Sequence, residues 1–323
     1  MRTRNWIAAA GLLVASLAQA APQTRWTVVD LGAGFNGAFA GVAATALNNR
    51  GEVAGWAYRS ESDLWHHAFT WDSGTLTQLG APAGSRASSV SGINNRGTIV
   101  GDVGPNAPAY YRDGAWTVLG FSGALYAVND HDTMVGSYNT PTGSPAFMIK
   151  DGVFFDLGTL GGSFAPAFAV NNKDVVVGYS YLAGTVTVHG FMYENGSMKD
   201  VGTLGGASSY LNDVNDHGVA VGGSEDAAGR TRAVVYDGTL RAIPGLGTFS
   251  YARSVNDHGD VVGDSDGHVF LYRDGTVTLV DQLPEVIASG WHLQNPVAIN
   301  DRGWIVVTGY RNGMSGSALL IPK

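Results

Sequence analysis

The chain has 323 residues, 46 of them glycine and none cysteine, and carries a formal charge of −8 with only 14% charged residues. An acidic chain without a basic run repels phosphate backbones and anionic lipid surfaces, which argues against a nucleic-acid partner. Holding together without disulfides calls for a large core or a closed architecture, and glycine at about twice its usual share of roughly 7% favours strands and turns over helices.

The first twenty residues read as a signal peptide. Arg2 and Arg4 precede an apolar stretch over residues 6–17, and Ala18-Gln19-Ala20 supplies the small-residue cleavage pattern. About a dozen apolar residues fall short of the roughly 20 needed to span a bilayer, so no membrane insertion is expected after cleavage. Residues 21–323 are then a single exported domain, secreted or periplasmic, with 17 basic and 27 acidic residues and a formal charge of −10.

Within that domain one turn recurs seven times. Its asparagine stands at Asn48, Asn94, Asn129, Asn171, Asn215, Asn256 and Asn300, at a mean spacing of 42 residues. The residues before it alternate at period two and are rich in valine, isoleucine and aromatics, which predicts a strand. The "N-[ND]-x-G" that follows suits a turn capped by the asparagine side chain and closed by a glycine at positive φ: Gly51, Gly97, Gly218, Gly259 and Gly303. Asp132 and Asp174 replace that glycine in two copies, and aspartate tolerates the left-handed region better than most residues. A further glycine follows seven residues after each of the first six asparagines; the seventh copy has Val307 there and delays its glycine to Gly309.

A second strand, a variable loop and a third strand come next ("HAFTW", "PAYY", "PAFMI", "HGFMY", "RAVVY", "HVFLY", "SALLI"). Hairpin dipeptides such as "DG" and "NG" then lead into a fourth. Four short antiparallel strands per repeat of about 42 residues describe a β-propeller blade, and seven repeats predict an all-β, seven-bladed propeller. The last repeat ends after its third strand, whereas residues 26–32, "WTVVDLG", match an outer strand with no blade of their own. The N-terminal strand is therefore expected to complete the last blade and close the ring.

"DLGTLGG" at 156–162, "DVGTLGG" at 200–206, "HAF" at 67–69 and the "AVNN" and "INN" turns resemble those of the HAF-repeat extracellular proteins, over nearly the whole mature chain. The tripeptide is intact once and the full "GTLGG" occurs twice. The resemblance implies an extracellular or periplasmic repeat protein and assigns no biochemical activity.

The seven asparagines offer calcium-type oxygens, but on separate blades, so they read as turn chemistry; "DSDGH" at 264–268 lacks the ligand run of a calcium loop. No metal or cofactor is expected. His67, His189 and His268 begin equivalent third strands and read as structural, and "GTLGG" lacks the helix and lysine of a phosphate cradle. The stretches before the turn asparagines include Asp213 and Arg253 but no ring of histidines or carboxylates, and no serine sits in a nucleophile elbow, so no catalytic residue is assigned.

Binding is the better expectation. On the face where the loops between second and third strands open, the sequence places Tyr58, Trp65, Tyr138, Tyr181 and Tyr310, with Trp291 in the long connection before the last blade. Flat aromatics among polar groups suit a glycan, a peptide or a cell-envelope protein. The expectation is a monomeric, non-catalytic interaction module; the competing readings are a purely structural surface repeat protein and a propeller hydrolase or lyase.

Overall fold

The computed structural model describes residues 25–35, 41–58, 65–104 and 106–323. The expected signal peptide lies outside the described residues. The described chain forms seven antiparallel sheets of four strands, the predicted seven-bladed propeller. Blade 1 is typical, with strands Gly41–Leu47, Val53–Tyr58, His67–Asp72 and Thr75–Gln78 hydrogen-bonded in chain order from the axis outward. The innermost strands of blades 2 to 7 are Ser88–Ile93, Gly123–Val128, Ala167–Val170, Gly205–Val214, Ser250–Val255 and Trp291–Ile299.

Closure follows the sequence reading. Trp26–Asp30 pairs antiparallel with the last strand, Met314–Pro322, in the register Trp26↔Pro322 to Asp30↔Ala318, so the first strand is the outer strand of blade 7. The strand stops at Asp30, short of the expected residue 32. There the Asp30 carboxylate accepts the Gly32 N–H at 2.9 Å, and the chain turns into a 3-10 segment, Leu31–Phe35. Trp26 and Leu31 are buried at 5% and 0% exposure, so the closing strand is anchored by apolar burial as well as by its ladder.

The core is divided among the blade interfaces. Val100 of blade 2 packs with Leu125, Met134 and Phe147 of blade 3, and Phe69 and Trp71 of blade 1 pack with Val306 and Leu319 of blade 7. Each innermost strand also carries a one-residue bulge three positions before its turn asparagine, at Thr45, Ser91, Tyr126, Phe168, Asn212, Arg253 and Val297. The bulge explains the glycine seven residues after the asparagine. A Cβ at Gly55, Gly101, Gly136, Gly178, Gly222 or Gly263 would collide with the carbonyl oxygen of the innermost strand beside the bulge. Blade 7 has a second bulge at Gln294, and Gly309 lies against it, where a Cβ would strike the His292 carbonyl. The displaced glycine of the seventh repeat therefore marks a displaced irregularity in the sheet.

Candidate functional site

The two faces of the propeller differ in kind. On the turn face, each asparagine side chain closes its own turn: the Asn48 amide oxygen accepts the Arg50 and Glu52 N–H groups at 3.1 and 2.9 Å, and the Gly51 N–H reaches the Asn48 carbonyl at 3.1 Å. Gly51, Gly97, Gly218, Gly259 and Gly303 have φ between +70° and +91°, and Asp132 and Asp174 have +62° and +60°, as the turn chemistry requires.

The same asparagines also join the blades. Each Nδ2 donates to the backbone carbonyl of the next asparagine, from Asn48→Asn94 around to Asn300→Asn48, at 2.8–3.1 Å. The following residues form a second ring: the N–H of Asn49, Asn95, Asp130, Asn172, Asp216, Asp257 and Asp301 each donates to the side-chain oxygen of the next, at 2.7–2.9 Å. These two rings line the mouth of the central channel, around a cavity of about 200 Å³. The sequence reading placed the asparagines on separate blades and found no carboxylate ring in the stretches before them; the fold converges the blades, and five aspartates, Asp130, Asp213, Asp216, Asp257 and Asp301, line one cavity. Burial, then the charges of Asp301 and Asp216, pushes the Asp257 carboxyl above its usual range. Among the described residues no group of three or more His, Cys, Asp or Glu is placed to hold a metal ion.

The other candidate groups are engaged locally. Asp213 accepts the Val214 and Val255 N–H groups at 2.8 and 2.9 Å, and Arg253 pairs with Asp264 at 3.0 Å. In "DSDGH", Asp266 opens a tight hairpin at φ +46° and accepts the Thr248 and Phe249 N–H groups, both at 2.8 Å. His189 and His268 each meet a carboxylate, Asp200 and Asp281, at 2.8 Å. "GTLGG" braces a blade connection: the Thr159 hydroxyl donates to the Gly162 carbonyl at 2.8 Å, and the Leu160 N–H donates to the Ser180 hydroxyl of the next blade, also at 2.8 Å.

On the loop face the six predicted aromatics separate. Tyr58 and Tyr310 line one cavity of about 240 Å³ at the seam between blades 1 and 7, together with Trp56, Gln294, Asn295 and Thr308. Trp65 is half exposed and does not line that cavity; its chain neighbour His66 stacks its ring on Trp56 at 3.8 Å and 18°. Most of the intervening loop, residues 59–64, lies outside the described residues. Trp291 is buried at 6% exposure, its ring 3.0 Å from where a Cβ on Gly316 would sit, and it lines an adjoining recess with Asp30 and Arg311. Tyr138 packs edge-on against Phe154 at 5.0 Å and Tyr181 lies 5.9 Å from Phe164, so these two support their own blades, away from the seam. Trp56 and Gln294 escaped the sequence reading; the delayed Gly309 was the available signal for Gln294.

No family model matches the chain, and no curated protein matches it in sequence. Solved β-propellers match it in shape. A puromycin-hydrolysing peptidase of Mycobacterium tuberculosis aligns over 86% of this chain and 50% of its own, with a TM-score of 0.58 and 13% identity. The β-propeller domain of the Trilobed protease from Pyrococcus furiosus aligns over 87% and 95%, with a TM-score of 0.54 and 8% identity. YCF48 bound to D1 peptide aligns over 92% and 95%, with a TM-score of 0.54 and 11% identity. The Pyrococcus domain is described as having an open velcro topology, whereas here the first strand closes the ring. At these identities the likeness shows the fold: this chain is a seven-bladed β-propeller.

Proposed function

We propose that the protein is an exported, monomeric, non-catalytic propeller that acts as an interaction module for a glycan, a peptide or a cell-envelope protein, contacted through the loop face. The carrying observation is the contrast between faces. The turn face is tied into two closed hydrogen-bond rings, while the loop face presents Trp65 and Tyr310 at 49% and 43% exposure, Tyr310 lining a cavity. Engagement of the carboxylates and histidines described above supports binding over catalysis. Export rests on the pattern of residues 1–20, and among the described residues no helix is long and apolar enough to cross a membrane.

The test is retention of the mature chain on cell-envelope fractions and immobilised glycans. Trp65→Ala and Tyr310→Ala should each weaken retention at least several-fold with the melting curve unchanged, and Arg96→Ala on the turn face should not. Retention that ignores both aromatic substitutions refutes a loop-face contact.

A further inference from the structure

We propose that the cavity at the seam of blades 7 and 1 binds a single ring of a neutral sugar, stacked on its aromatic wall and hydrogen-bonded by Gln294 and Asn295. This rests on the interaction reading above and narrows it to one site and one ligand chemistry.

Charge is the first argument. The chain carries 27 acidic and 19 basic residues, yet among the described residues no charged side chain lines this cavity. The lining includes the rings of Trp56, Tyr58 and Tyr310 and the amides and hydroxyls of Gln294, Asn295 and Thr308. His66, stacked on Trp56, has its pKa lowered by burial and then by His67, which favours the neutral ring. An ionic ligand would lose its hydration without gaining a counter-charge. A sugar ring has an apolar C–H face that suits an aromatic plane and a rim of hydroxyls that suits planar amides, which both donate and accept.

Construction is the second argument. Gln294 is the extra residue of the second bulge in its strand, so an irregularity at this seam exposes it, and Asn295 beside it is also exposed. On the facing blade, Gly41 leaves room for the Tyr58 ring to lie against the strand, since a Cβ there would collide with ring carbons and with the hydroxyl at 2.6 Å. The His66 ring stacks on Trp56 and braces it. The walls are thus set before a ligand arrives, which lowers the ordering cost of binding.

Size and backbone are the third. A volume of about 240 Å³ is below the roughly 300–1,000 Å³ of drug-sized sites and matches one ring better than an oligomer. A peptide adding as a strand needs a free sheet edge, but the Ile305–Arg311 strand here is laddered on both sides.

The mature chain should be titrated with the methyl glycosides of glucose, galactose, mannose and N-acetylglucosamine, with galacturonate and glucosamine as charged analogues, while tryptophan fluorescence is followed. At least one neutral glycoside should bind saturably, and its charged analogue about tenfold more weakly. Tyr58→Ala and Gln294→Ala should each weaken it about fivefold or more with the melting temperature retained. Absence of saturable binding by all four glycosides, or binding indifferent to both substitutions, overturns the sugar site. If envelope retention still depends on Trp65 in that case, the loop-face module stands and only the ligand assignment falls.

Discussion

Replacing Asn171 with alanine tests the turn-face rings most directly. Asn171 is 4% exposed and its side chain makes three hydrogen bonds: the amide oxygen accepts the Lys173 and Val175 N–H groups, both at 2.9 Å, and Nδ2 donates to the Asn215 carbonyl at 2.8 Å. Each bond contributes about 1 kcal/mol net, and leaving the buried Val175 N–H without a partner adds a further 1–3 kcal/mol, for a loss of about 4–6 kcal/mol. Against a usual stability of about 5–15 kcal/mol this is a large fraction. The assay is urea unfolding followed by fluorescence and circular dichroism. Asn171→Asp separates the two roles, because it keeps both acceptor bonds but turns a carboxylate oxygen toward the Asn215 carbonyl. When protonated, the aspartate regains a donor, so the Asp variant should recover stability as pH falls while the Ala variant should not. A loss below about 1 kcal/mol for Asn171→Ala would refute the claim that the asparagines hold the blades together.

Truncation before residue 34 removes the closing strand, exposes the free edge of Met314–Pro322, and should cause aggregation or a large drop in melting temperature; a monomer with an unchanged melting curve would contradict the ladder of the first strand. Gly259 has φ +82° and open space around it, so Gly259→Val should cost about 1–3 kcal/mol from backbone strain alone, measurable by thermal unfolding; Gly97→Val, at φ +85°, should behave alike. Burial raises the Asp102 carboxyl to about 6, and its Oδ1 has no hydrogen-bond partner among the described residues. The folded state therefore holds this proton more tightly than the unfolded chain, and stability should fall as pH rises from about 4 through 6. Allowing for partial solvent screening, Asp102→Asn should remove that slope and stabilise the protein by about 1–3 kcal/mol at pH 7; an unchanged pH profile would show that water or an ion already satisfies the carboxylate.

The strands, the turns and ring closure were legible because their information is local. Alternation over five or six residues, an asparagine followed by a left-handed glycine, and an orphan strand such as "WTVVDLG" can all be seen without knowing what lies across the molecule. The rings were not legible, because each bond joins residues 35 to 46 apart, or 252 apart where Asn300 meets Asn48. For the same reason Trp56 and Gln294 become neighbours of one cavity only once blade 7 docks on blade 1. Aromatic identity alone could not separate contact surface from support. Tyr138 met Phe154 and Tyr181 met Phe164 because phenylalanines lie beside them, while Tyr310 lines the seam cavity and stays exposed.

The asparagine rings also bear on how the molecule comes apart. Every bond runs in the same rotational sense, each blade donating to the next, so the seven donors and seven acceptors match only when the last blade meets the first. A linear stack of repeats has two ends and loses structure from them one unit at a time. A circuit has no first unit to lose. Loss of any one blade must break both rings at its two borders, leaving unpaired donors on the blade before it and unpaired acceptors on the blade after it, so intermediates that lack a single blade are penalised twice and the transition is driven toward all-or-none behaviour.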